Sequence, residues 1–223
     1  LARQKDSQGR GLGAPDAVII PGTKSTISDL GWLRRRGLAP AIRDLASQGT
    51  TVVGICGGYQ MLGQSIHDPE HVEARVTDTH GLALLPTETT FDTRKETHQV
   101  KARITENAGW LSSVAQRDLR GYEIHMGRTQ GARSWLKITE RGGKSVRIAD
   151  GAMSPDGRVW GCYLHGIFSN RDFRRAWLRS LGWHPPSLPS VTPDELASAF
   201  DRLADEVAAA LDMETLDTLI QNQ

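Results

Sequence analysis

The sequence predicts an α/β fold: an open sheet, parallel at its core, with antiparallel strands in the middle of the chain and helices on both faces. Three observations carry this. Short, β-branched apolar runs near the N-terminus alternate with stretches of helical periodicity, the order expected of a parallel sheet. From Thr87 to Glu106 the chain alternates instead and is rich in threonine and charge, as half-buried antiparallel strands require. After Thr192 a helical stripe returns.

Leu1 to Pro15 is polar and glycine-rich. It reads as a linker or as the cut edge of a longer protein, and the expected domain runs over residues 16–223. Asp16-Ala17-Val18-Ile19-Ile20-Pro21-Gly22 is an apolar run closed by Pro-Gly, a buried strand ending in a loop. Ile27, Leu30 and Leu33, then Ile42 and Leu45, recur at helical spacing, with Gly49 as a C-terminal stop. Thr51 to Ile55 is the next strand. Strands are also expected over Gly121 to Thr129, Trp135 to Thr139, Ser145 to Ala149 and Arg158 to Leu164. Arg141-Gly142-Gly143-Lys144 and Pro155-Asp156-Gly157 supply turns between them. Thr192-Pro193-Asp194-Glu195 is a capping box. It opens a helix whose Leu196, Phe200, Leu203, Val207 and Leu211 form one apolar stripe, read as core packing.

The richest segment is Val52-Val53-Gly54-Ile55-Cys56-Gly57-Gly58-Tyr59-Gln60. A strand ends in a cysteine set among glycines and a helix-compatible stretch follows at once, the pattern of a nucleophile elbow. A lone cysteine after a strand is commonly a small buried hydrophobe. Such a cysteine needs no tight turn on either side, and the glycines therefore favour catalysis. The expected position at a helix N-terminus favours a thiolate.

Composition narrows the field. The chain has 223 residues, a net charge of +1 and 24% charged residues, so no global field draws it to nucleic acid or an acidic membrane. Arg34, Arg35 and Arg36 read as the solvated face of a helix; a grip on a polycarboxylate is the alternative. Cys56 and Cys162 are the only two cysteines and neither belongs to a CxxC pair. The seven histidines show no HExxH spacing, so no metal is expected. No apolar run approaches the roughly 20 residues of a membrane span and no signal peptide is visible, which makes the cytoplasm the default compartment.

A cysteine nucleophile needs a base that later protonates the leaving amine. His165 closes Val159-Trp160-Gly161-Cys162-Tyr163-Leu164-His165 and emerges at a strand end, where sites of open α/β sheets gather. Alternation places His165 with Tyr163 and Gly161, and turns Cys162 away. In Gly121-Tyr122-Glu123-Ile124-His125-Met126-Gly127, Glu123 and His125 share one face, which either lines the pocket or meets water. Backbone amides of Gly22 and Gly57 are the candidate oxyanion hole. Lys24-Ser25 resembles a phosphate loop, but the glycines that loop needs are Thr23 and Val18 here, so ATP is not assigned to this segment.

The pattern Gly54-x-Cys56-x-Gly58-x-Gln60 resembles the nucleophile motif of class I (triad-type) glutamine amidotransferases. Together with Ile20-Pro21-Gly22-Thr23-Lys24-Ser25-Thr26, the Gly121-to-Gly127 segment and Tyr163-Leu164-His165-Gly166-Ile167-Phe168, it is similar to the glutaminase half of the cobyric acid synthase family, over about Pro15 to Leu181. The resemblance implies glutamine hydrolysis with Cys56 as nucleophile and His165 as acid/base, and glutamine contacts from Gln60, Glu123 and His125. It implies no cofactor in this chain. ATP and magnesium belong to an upstream synthetase domain, which uses the ammonia to amidate carboxylates of adenosylcobyrinic acid a,c-diamide in cobalamin biosynthesis. One position departs from the wider class: the glutamate normally found two residues after the histidine is Ile167. This leaves a Cys–His dyad or a third group from elsewhere, with Glu123 as the candidate. Two other readings remain: the glutaminase subunit that serves a peptidoglycan lipid precursor ligase, and a non-catalytic binding domain of the same fold.

Overall fold

The computed structural model describes residues 15–184 and 193–212. They fall into two compact units, divided between Trp183 and His184. The expected linker, apart from Pro15, and Thr192 of the expected capping box lie outside the described residues.

In the first unit, β1 (Ala17–Ile20), α1 (Thr26–Arg35), α2 (Leu38–Ser47) and β2 (Thr51–Ile55) follow one another as the periodicity predicts. Gly37 between the helices adopts a φ of 69°, which lets the chain reverse without strain on a side chain. Helix α3 (Gly57–Leu62) follows β2 directly. The short β3 (Ser65–His67) and β4 (Asp78–His80) lead to the long β5 (Glu88–Ile104) and β6 (Asp118–Gln130). Then come β7 (Leu136–Arg141), β8 (Lys144–Asp150), β9 (Ala152–Met153), β10 (Val159–Cys162) and α4 (Arg171–Ser180).

The fold class is the one expected, a mixed α/β chain, with its strands divided into two sheets. One runs β1-β2-β10-β9, with the first three strands parallel. The other runs β4-β3-β5-β7-β8, and β6 pairs antiparallel with β5. An isolated bridge, Tyr122 to His165, joins β6 to the segment after β10. In the first sheet Ile20 sits opposite Gly54, and Ile55 opposite Cys162. The carboxyl ends of β1, β2 and β10 therefore converge on one edge, the place where open α/β sheets collect ligand-binding loops.

Strand β2 is buried throughout, consistent with cover on both faces. Trp110, Trp135, Trp160, Phe168, Phe173 and Trp177 form an aromatic cluster under α4. Phe173, Ala176 and Trp177 supply the buried side of α4, the i, i+3, i+4 spacing of an amphipathic helix. None of the described helices is long and apolar enough to cross a membrane.

The second unit contains α5 (Pro193–Ala210). Its Phe200, Leu203, Val207 and Leu211 are 47–62% exposed. The core packing expected of that stripe is therefore absent among the described residues of this unit, which supply no second element to bury it against.

Candidate active site

The elbow is present and strained. Cys56 adopts φ 51° and ψ −112° between β2 and α3, a conformation that costs a non-glycine residue on the order of 1–3 kcal/mol and persists only where its surroundings enforce it. Those surroundings are backbone. The Cys56 amide donates to the Cys162 carbonyl at 2.9 Å, and Gly58 is pressed so closely on the Ile20 carbonyl that no Cβ fits there.

The loop after β1 meets the elbow at Gly22. A Cβ on Gly22 would lie 2.8 Å from His165 Cε1 and 3.4 Å from the Cys56 Cβ. Three of the expected residues, Gly22, Cys56 and His165, are thus brought together by three separate strand ends. Gly57 opens α3 against Thr23 and Thr26, and its amide hydrogen-bonds the Cys56 sulfur. That places one of the two proposed oxyanion donors at the reacting atom.

Cys56 is 5% exposed. Burial pushes its thiol up to about 11; the Gly57 amide lowers it, and the Glu73 and Asp150 charges raise it further. The thiolate expected from a helix N-terminus is therefore not the resting form. Helix α3 is only 6 residues long, and desolvation outweighs what its amide end contributes. The thiol donates to the Ile124 carbonyl at 3.2 Å. Burial holds His165 below its ordinary value, as does the nearby His125, and hydrogen bonding to the Ile124 carbonyl partly offsets this. His165 Nε2 is buried and has no hydrogen-bond partner. At neutral pH the pair is a neutral thiol beside a neutral imidazole, and the imidazole must take the proton as the sulfur attacks. Alkylation of Cys56 by iodoacetamide, read by peptide mapping, should therefore climb with an apparent pKa of about 11. A plateau already reached near neutral pH would contradict this.

The other expected residues are differently employed. Strand β10 ends at Cys162, so alternation does not carry through to His165. Tyr163 stacks on His125, with ring centroids 3.9 Å apart. His165 stacks on Tyr122, which lies on the opposite face of β6 from His125 and Glu123. Glu123 is 2% exposed. It accepts from Arg141 Nε at 2.9 Å and from Arg141 Nη2 at 3.2 Å, and lies 3.4 Å from His125 Nε2. Lying on the other face of β6 from Tyr122, it makes no hydrogen bond to His165 and is instead held by Arg141 and His125. Burial raises its carboxyl, but the hydrogen bond from His125 and the Arg141 charge outweigh burial and hold it below the usual range. His125 is tied to the Gly127 carbonyl at 2.9 Å and, with Glu123 and Arg141, lines a cavity of about 350 Å³. Gln60 is 2% exposed; its Oε1 accepts from Thr26 at 3.0 Å and its Nε2 donates to the Tyr163 hydroxyl at 3.2 Å. It braces the site from behind the nucleophile and does not face open space. Cys162 is fully buried, as expected of a structural residue.

One carboxylate near the sulfur carries no motif. Glu73 accepts from Thr26 Oγ1 at 3.2 Å and from the Ile27 amide at 3.4 Å. Burial raises its carboxyl, and these hydrogen bonds pull it back. Its loop is held by Asp68, which accepts from the amides of Val72, Glu73 and Ala74. Nothing in the local pattern signals this, because the contact joins residues 47 positions apart. Among the described residues no group of three His, Cys, Asp or Glu side chains is placed to hold a metal ion.

Over residues 2–173 the sequence matches the CobB/CobQ-like glutamine amidotransferase domain. Cobyric acid synthase of Chloroflexus aurantiacus is 49% identical over 208 residues, covering 92% of this chain and 40% of that protein. Cobyric acid synthase of Moorella thermoacetica is 45% identical over 217 residues, covering 94% of this chain and 42% of that protein. The chain thus spans about two fifths of the length of these curated relatives. Among solved structures, PurLQS from Thermotoga maritima is similar with a TM-score of 0.53 at 19% identity, over 77% of this chain and 81% of that one. That is a likeness of fold alone.

Proposed function

The chain belongs to the CobB/CobQ-like glutamine amidotransferase family, and from that membership we propose that it is the glutaminase domain of a cobyric acid synthase. The observation that carries the reading is Cys56 at a strained elbow, with Gly22 packed between it and His165. The Cys56 sulfur attacks the carboxamide carbon of glutamine while His165 takes the thiol proton. The Gly57 and Gly22 amides receive the developing oxyanion. As the tetrahedral species collapses, His165 returns the proton to nitrogen; ammonia leaves and a γ-glutamyl thioester remains. Water then attacks the thioester, losing its proton to His165, and glutamate and the free thiol are released. Glu73, which shares Thr26 with Gln60, is suited to the ammonium group of the substrate amino acid.

The ammonia serves an ATP- and magnesium-dependent synthetase domain, which amidates the carboxylates of adenosylcobyrinic acid a,c-diamide in the cytoplasm. That the relatives extend well beyond this chain supports such a domain. Two measurements test the reading. The glutamine analogue 6-diazo-5-oxo-L-norleucine should label Cys56 and leave Cys162 untouched; labelling of neither would favour a binding domain. The full-length protein, given glutamine, ATP and magnesium, should amidate the corrinoid. No amidated corrinoid, with Cys56 still labelled, would retain the glutaminase and overturn its acceptor.

A further inference from the structure

Ile167 stands where a carboxylate would hold the histidine, and it is 1% exposed within the core. Among the described residues no carboxylate hydrogen-bonds His165. Strand β6 supplies other contacts. The Tyr122 amide donates to the His165 carbonyl at 3.2 Å and the His165 amide to the Tyr122 carbonyl at 2.9 Å. These reciprocal bonds fix the backbone of the base. The two rings are stacked, with centroids 4.9 Å apart and planes 7° from parallel. Gly22 packs against the imidazole at Cε1.

From this geometry we infer that Tyr122 is the positioning residue of the site, its ring holding the His165 imidazole in the reactive plane in place of a carboxylate. The inference rests on the reading of His165 as the acid/base. The groups that face His165 are the Cys56 thiol and Gly22 from the first sheet, and the Tyr122 ring and Ile124 carbonyl from β6, while His125 acts on it from the other face of that strand. With Tyr122 stacked on one face of the ring and Gly22 close to its Cε1, rotation toward the tyrosine is blocked and the ring is held at that edge. The face of a phenol ring also attracts the imidazolium formed when the thiol proton arrives. A π-face does this more weakly than a buried carboxylate, so its loss should cost about 3- to 30-fold in turnover, whereas removing a triad carboxylate can cost about 10⁴-fold. Tyr122 is 40% exposed at the sheet edge, so its replacement opens no internal cavity.

The test is steady-state glutamine hydrolysis by the full-length enzyme with Tyr122→Phe, Tyr122→Leu and His165→Ala, each checked for an unchanged melting temperature. Tyr122→Phe keeps the ring and should stay within about twofold of wild type. Tyr122→Leu should lose about 3- to 30-fold in kcat at unchanged KM. If leucine upsets the strand, Tyr122→Thr, which suits a strand equally well, gives the same reading. A wild-type kcat in the folded leucine or threonine variant, or a change confined to KM, overturns the positioning role while an inactive His165→Ala leaves the base assignment standing. Full activity of His165→Ala overturns the base assignment itself.

Discussion

Cys56→Ser is expected to lower glutamine-dependent turnover of the full-length enzyme by at least about 10⁴-fold, the scale at which loss of a catalytic nucleophile acts. Amidation from free ammonia should continue, since that route bypasses the sulfur. The structure makes a base equally necessary: with burial pushing the thiol up to about 11, neutral pH supplies almost no thiolate. His165→Ala should therefore approach Cys56→Ser in severity, and the double variant should be little worse than either, because the two act as one unit. Cys162→Ser is the control. Its sulfur is fully buried and turned toward the Leu164 carbonyl, so it should keep most of the activity. Glutamine hydrolysis that survives Cys56→Ser would end the assignment, whatever the behaviour of His165.

What the sequence discloses here is what local rules govern. The elbow is legible because strand, tight turn and helix follow within a dozen residues, and glycine is required where two backbones touch. The strands β1, β2 and β5 to β8 are legible from period and turn residues. The three-residue β3 and β4 and the two-residue β9 are too short to show a period. Helix α4 carries its apolar residues among four arginines, and charge obscures the stripe. The site is harder, since its partners meet through pairing between distant strands. Alternation along Gly161 to His165 predicts a shared face for Tyr163 and His165, yet the strand stops at Cys162 and the two rings pack on opposite faces of β6. For the same reason the sequence, which offers Glu123 as a partner for His165, does not show that its cation lies on β7, 18 residues away.

That partnership is where the largest effect on stability is expected. Arg141 donates two hydrogen bonds to Glu123 and a third, at 3.2 Å, to Glu96, which in turn holds His98 at 2.8 Å. The side chains of Glu123 and Arg141 are 3% and 17% exposed. Arg141→Met should cost about 3–5 kcal/mol, because it strands a carboxylate inside the protein. The pH dependence separates this from simple loss of packing. In the wild type Glu123 lies below its ordinary value, so its contribution is present above the unfolded value and is lost as pH falls through the folded one. Without Arg141, burial instead favours the protonated acid and the folded value rises. The variant then recovers relative to wild type as pH falls, and the gap in urea-unfolding free energy should narrow in acid. Adding Glu123→Gln removes the stranded charge while keeping an oxygen for His125, so Arg141→Met/Glu123→Gln should regain most of the loss at neutral pH. A single variant costing under about 1 kcal/mol, the scale of an exposed ion pair, or a double variant no more stable than the single, would show that the pair is not what holds β6 behind the nucleophile.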